Sequence, residues 1–358
     1  MLRPSDLFRK GAPGRWRSAP LATLFRRGLL ALALLGSAQA HAQADLRDPD
    51  RAPVPLEIFQ QNEDRLFRVG YRLATSNAPF CDGAVSVSGL LVHDAYSYGN
   101  PEAVRLLFRL SGDIGVQSVA EGSPAARAGI RQNDTILSVD GRSIAREWPR
   151  SEPRWKRVFA IRDAIDAALA KGSVAIGWQS PGGEPQEAVL EGVSACPTRF
   201  ELIDSRKNAA ADGERVLVGE NFPGFGYDEP VFAAVIGHEM AHNVFRHPQT
   251  FNEIGWKRSL VRVSERDADR LMPWLLQNAG YDPQAAVTFM QTWGPRHGGG
   301  ILRKCTHDGW DERVEFIEAE IAALRRVLGE DGSVDWRTHF AEMLEPALTA
   351  RSERRAAR

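Results

Sequence analysis

Cysteine is scarce: Cys81, Cys196 and Cys305 are the only three in 358 residues. Three thiols permit one disulfide, in any of three pairings, and sequence alone does not choose among them. Net charge is nearly absent as well, with 45 basic against 46 acidic side chains. That balance leaves no electrostatic footprint for nucleic acid or for an anionic membrane. Beyond the first 44 residues there is no apolar run near the length of about 20 residues that a spanning helix needs. No internal repeat is present. What remains is a chain of ordinary apolar content, 43%, able to build a sizeable core. Its length suggests two domains and a tail.

The N-terminal stretch stands apart. Residues 1–44 hold seven basic side chains and one acidic side chain, Asp6. An apolar run over 28–38 follows, and then the small-residue stretches Ala38-Gln39-Ala40 and Ala40-His41-Ala42. A basic start, a short apolar centre and an A-x-A site predict a secretory signal over 1–42. Arg26-Arg27 also fits a twin-arginine signal, and the sequence does not decide between the two routes. Beyond residue 44 the chain keeps 38 basic and 45 acidic side chains, a net charge of −7. The expected location is the periplasm of a Gram-negative bacterium, where disulfides persist. Residues 45–55 read as a polar lead-in.

The chemistry concentrates at His238-Glu239-Met240-Ala241-His242. On a helix, residues i and i+4 share a face, so both imidazoles can reach one tetrahedral zinc. Glu239 is then placed to hold and deprotonate a zinc-bound water. A catalytic zinc needs a third protein ligand and an open fourth position. A His six residues after the second would supply it in one known arrangement, but that position is Pro248. His247 is one residue short and reads as structural or solvent-facing. A downstream carboxylate is the other solution. Glu265 and Asp269 lie one turn apart, Glu265 as zinc ligand and Asp269 as the hydrogen-bond partner of a ligand His. Helices are expected over 228–247, capped by Asp228 and Pro230, and over 258–272, where Pro273 ends or kinks the second. A further helix covers 310–328.

These motifs resemble the HtpX-like gluzincin peptidases, which include the CAAX prenyl proteases. The resemblance runs over about residues 196–328 and adds Cys305-Thr306-His307-Asp308, with Arg313 in register. It implies catalytic roles for Glu239, His307 and Arg313, the last two near the oxyanion or a catalytic carboxylate. It also implies one zinc per chain on His238, His242 and Glu265. The chain departs from the family's pattern with Cys305 for Ser and Asp308 for Pro. Many members carry spanning helices between the two motifs. Here 22 residues separate His242 from Glu265, too few for two spans.

Residues 108–193 read differently. Gly115-Val116, Gly122-Ser123-Pro124-Ala125, Ala128-Gly129-Ile130, Asp134, Ile136 and Val139-Asp140-Gly141 resemble a PDZ domain of the bacterial type. Asn133 replaces the usual Gly, and Asn tolerates positive φ better than most residues. The resemblance implies capture of peptide C-termini, with Asp113, Ile114, Gly115 and Val116 as the candidate loop, although Asp113 brings an unhelpful charge. Cys81 and Cys196 flank this segment. Inserted domains have neighbouring ends, so a Cys81–Cys196 disulfide is expected at its base.

The expected fold is α+β. A mainly helical zincin-like peptidase with a small sheet occupies 45–107 and 194–345, the PDZ-like insert 108–193, and a basic tail 346–358. The expected function is exported zinc endopeptidase acting on envelope polypeptides. The competing reading is a peptide-binding or chaperone-like protein with a latent or structural zinc site.

Overall fold

The computed structural model describes residues 54–204, 207–297 and 308–349. The expected signal over 1–42, and Cys305 and His307, lie outside the described residues. Met1–Ile58 and Phe59–Arg358 form separate units. Of the first, only residues 54–58 are described, and they begin helix α1 (Pro55–Ser76). Everything below concerns the second unit, which mixes helix and sheet.

Within it, α1 buries Leu66, Val69 and Leu73, as their helical spacing requires. The chain then forms β1 (Val85–Val87) and β2 (Leu90–Asp94). Residues 84–92, short, small and apolar, read in sequence as one strand. It splits because Gly89 adopts φ +70°, and a Cβ there would lie 2.2 Å from that of Ser123.

Helix α2 (Pro101–Phe108) leads into β3 (Ile114–Val119), β4 (Thr135–Val139) and the short β5 (Arg142–Ser143). Helix α3 (Lys156–Leu169) precedes β6 (Ser173–Gln179), β7 (Pro185–Glu191) and β8 (Val193–Ala195). An antiparallel sheet runs β2-β3-β4-β6-β7, with β5 on β4. The PDZ-like sheet thus draws in Leu90–Asp94, which fall within the 45–107 expected to belong to the peptidase. Its inward residues, among them Ile114, Val116, Ile136, Ile176 and Trp178, meet Ile161, Ile165 and Leu169 of α3 in one core. Asn133 sits at φ +69°, the left-handed conformation its turn demands.

A second sheet holds β9 (Arg199–Ile203), β10 (Ala209–Ala211) and β11 (Arg215–Gly219), in the order β10-β11-β9. The turn at 211–213 joins β10 to β11 antiparallel, while β9 and β11 run parallel. After it come helices α4 (Glu229–Val244), α5 (His247–Ile254), α6 (Arg258–Asn278), α7 (Gln284–His297) and α8 (Trp310–Leu324). Every residue of α4 from Phe232 to Asn243 is buried, so it is the central helix of this part.

Two sequence expectations fail here. Helix α4 stops at Val244 rather than 247, because Arg246 turns left-handed at φ +54°. Helix α6 runs through Pro273 to Asn278. An internal proline costs about 3 kcal/mol. Burial of Leu271, Met272, Trp274, Leu275 and Leu276, at about 1.5–3 kcal/mol for each large side chain, outweighs it.

The core around α4 uses both flanks of the PDZ-like segment: Leu66, Leu73 and Cys81 before it, Cys196, Phe200 and the helices after it. The two crossings are adjacent. β1 pairs antiparallel with β8, and the Cys81–Cys196 disulfide closes them with a Cα–Cα distance of 5.4 Å. Among the described residues no helix is long and apolar enough to cross a membrane.

Candidate metal centre

Helix α4 presents His238 and His242 one turn apart, and α6 packs against it with Glu265 facing them. The two Nε2 atoms are 3.4 Å apart. Glu265 lies 3.5 Å from Nε2 of His238 and 3.8 Å from Nε2 of His242. A tetrahedral ion with bonds of about 2.0–2.1 Å spaces its ligand atoms about 3.3–3.4 Å apart. Two imidazole lone pairs and a carboxylate at these separations repel one another unless a cation or a proton lies between them. The three residues therefore fit a divalent metal in both spacing and donor chemistry.

The outer contacts support the inward aim. Nδ1 of His238 is 3.0 Å from Oδ1 of Asp269. Arg313 donates to both oxygens of Asp269 at 2.6 Å. Burial works against a charged His238, but hydrogen bonds to Asp269 and Glu265 outweigh it and raise its pKa. Burial likewise opposes ionised Asp269, and the Arg313 charge prevails to hold its carboxyl below the usual range. Without metal, a proton competes for the same place between His238 and Glu265.

The resemblance put Arg313 near the oxyanion or a catalytic carboxylate. In the structure Arg313 is 5% exposed and closed on the carboxylate of Asp269, which contacts His238. Asp308, where the family's pattern has Pro, also has a place. It accepts two hydrogen bonds from Arg266, the residue after Glu265. Glu239 is buried next to His238 on α4.

The strand beside the centre is tethered to it. Gly213 N–H donates to Oδ1 of Asn243, the residue after His242, and Gln249 donates to the Gly213 carbonyl. Gly213 has φ +105°, and a Cβ there would lie 2.3 Å from the Gln249 amide nitrogen. Only glycine lets this turn meet the helix.

Sequence reasoning underrated His247. It is 1% exposed, and its Nδ1 lies 2.9 Å from Nδ1 of His242. Burial, and then the neighbouring His242, keep its pKa well below the ordinary value. A continuous helix over 228–247 would have turned it away, and the left-handed Arg246 was the missing signal. His247 also joins Asp267 and Glu342 in a second group of possible metal ligands.

The peptide-binding loop is a second correction. Asp113 accepts from Arg105, Arg150 and Arg157, so its charge is neutralised within the protein. Burial pushes the Asp113 pKa upward, but these three partners carry it well below the carboxylate range. Ile114, Gly115 and Val116 are paired to β2, and Gly115 also pairs with Thr135 of β4. Strand addition needs a free edge, and β3 is interior to its sheet. Its neighbour β2 is an edge strand. A cavity of about 670 Å³ runs past Leu90, Leu91 and Val92 of β2, Arg162 and Ile165 of α3, and Phe200 of β9. Arg162 donates to the Val92 carbonyl at 2.6 Å there.

Residues 115–159 match the PDZ domain family. This supports peptide binding or regulation by that part of the chain. No curated protein matches the chain in sequence.

Proposed function

We propose that this chain is an exported zinc-dependent endopeptidase whose PDZ domain binds or admits polypeptide substrates. The observation that carries the reading is the convergence of His238, His242 and Glu265 with Glu239 on the same helix. A zinc ion held by those three residues would polarise the scissile carbonyl and lower the pKa of its water to about 7. Glu239 would accept a proton from water at that site and pass it to the leaving amine. Asp269, itself held by Arg313, orients His238. The substrate lies along β10, an edge strand beside α4, by main-chain pairing.

In this reading the peptidase body is interrupted by the PDZ-like part, and substrate segments enter the cavity beside β2 and α3. The cavity is also lined by Glu214 and Arg215, which follow the Gly213 turn tied to α4. Envelope polypeptides are the proposed substrates, and the periplasm of a Gram-negative bacterium the proposed location. The Cys81–Cys196 disulfide fits an oxidising compartment.

The PDZ match favours a second reading, a peptide-binding or chaperone-like protein that keeps a metal for structure. A purely structural site has no use for Glu239. The test is degradation of an unfolded protein by the chain without residues 1–42, by its Glu239→Gln variant, and after chelation. Degradation only by the untreated, unsubstituted protein supports the peptidase. Equal degradation in all three overturns it.

A further inference from the structure

Each imidazole facing the metal position has a second ring nitrogen, and the two are served differently. Nδ1 of His238 meets the carboxylate of Asp269. Nδ1 of His242 meets another imidazole, that of His247, at 2.9 Å, with the rings inclined at 71°. The backbone arranges this contact. Five residues along a continuous helix would turn a side chain about 140° away, at about 100° per residue. The break after Val244, with Arg246 at φ +54°, brings residue 247 back onto His242 as the first residue of α5.

The proton count then follows. A metal ligand must present an unprotonated Nε2, so neutral His242 carries its proton on Nδ1. That N–H has His247 Nδ1 as its acceptor. His247 must therefore hold its own proton on Nε2. This atom is buried without a hydrogen-bond partner of its own. A ring nitrogen of His247 lies within 4.8 Å of carboxylate oxygens of Asp267 and Glu342. With Nδ1 taken by His242, Nε2–H is the one donor the ring has left for those acids. Asp267 is held in turn by the N–H groups of Met343 and Leu344, both at 2.9 Å.

We propose that His247 is a positioning residue for His242, accepting its Nδ1–H so that tautomer and ring orientation aim Nε2 at the metal. The proposal rests on the reading of His238, His242 and Glu265 as metal ligands. It deepens that reading with a second imidazole behind the ligand, beside buried Asp267 and half-buried Glu342. It also decides what the second group of ligand-type residues does. A cation on His247, Asp267 and Glu342 would need Nε2 of His247 bare while its Nδ1 accepts from His242. That imidazole would have lost both protons, so the group orients a ligand and does not hold a second ion.

The experiment is zinc affinity by chelator competition on the exported form of the chain, with His247→Phe and His247→Asn beside it. Phe keeps ring shape without an acceptor, and the Asn carbonyl oxygen sits near the place of Nδ1. Thermal unfolding of the metal-free proteins controls for folding. Losing an outer partner of a metal-bound His typically weakens binding about 10–100-fold. That loss is expected for His247→Phe, with most of it restored in His247→Asn, and one zinc per chain in the parent protein. Equal affinity in His247→Phe and the parent overturns the proposal. So does an Asn variant as weak as the Phe variant. A second zinc equivalent that disappears in Glu342→Gln overturns it in favour of a cation site. A parent chain that binds no zinc overturns the metal reading itself, and the proposal with it.

Discussion

Arg313 grips Asp269 through two hydrogen bonds of 2.6 Å, from Nε to Oδ2 and from Nη2 to Oδ1, with both residues buried. Asp269 in turn reaches His238. A charge pair so placed is costly to break on one side, because the remaining charge is stranded away from water; typical losses are about 3–5 kcal/mol. Arg313→Met should lower the unfolding free energy of the metal-free protein by about that amount. The double variant Arg313→Met/Asp269→Asn should recover much of the stability but not the zinc affinity. Denaturant unfolding beside zinc titration separates the two effects. A single variant as stable as the parent would mean that Arg313 does not compensate Asp269.

The Cys81–Cys196 bond ties two residues 115 apart in sequence, where the chain enters and leaves the PDZ-like part. Cross-links act largely by restricting the unfolded chain, and removing a native one costs about 2–5 kcal/mol. The Cys81→Ser/Cys196→Ser variant should lose stability in that range, and reductant should shift the parent toward it. Unfolding midpoints with and without reductant test this. A parent indifferent to reductant while the bond is measurably open would contradict it.

These two relationships differ in how far the sequence announced them. The disulfide followed from the position of two cysteines around a recognisable insert, and the approach of His238 to His242 from helical spacing. The first rests on an insert whose ends must meet, the second on two residues one helical turn apart. Arg313 was brought to the right neighbourhood without a named partner, since register in a motif does not say which side of a histidine a guanidinium will fill. His247 was lost for a different reason. Its place depends on one left-handed residue, Arg246, and arginine carries no sequence signal for that conformation. Pro273 misled in the opposite sense, because burial along α6 overrides a local breaker.

Asp113 yields a pH dependence with a definite sign. Burial alone would raise its pKa, but Arg150, Arg157 and Arg105 depress it below the ordinary 3.8. A carboxyl depressed in the folded state contributes fully above its unfolded pKa. The contribution is lost as pH falls through the folded one. Asp113→Asn should therefore be less stable than the parent at pH 7, by about 1.5–3 kcal/mol for lost charge-assisted hydrogen bonds. The gap should narrow only as pH falls below about 3.8. Urea unfolding of both proteins across pH 3–7 reads it. A gap that narrows already between pH 7 and 5 would contradict the assignment.

Strand pairing in the same sheet bears on where a peptide binds. A strand added to a sheet needs unpaired N–H and C=O groups. Val116 and Gly115 have theirs engaged with β2 and β4, whereas β2 is the outer strand of its sheet. Its outer side opens on the cavity shared with α3, where Arg162 already reaches the Val92 carbonyl. A peptide adding there must displace Arg162, so removing that side chain exposes an acceptor without disturbing the strand pairing. Hydrogen exchange on the Glu239→Gln protein with an extended apolar peptide should show new protection within Leu90–Asp94 and little within 111–116. Arg162→Ala should tighten the complex by about tenfold or less, the worth of one net hydrogen bond of about 0.5–1.5 kcal/mol. Protection confined to 111–116, or a weaker complex with Arg162→Ala, would move the peptide off β2 and make Arg162 a ligand contact instead of a gate.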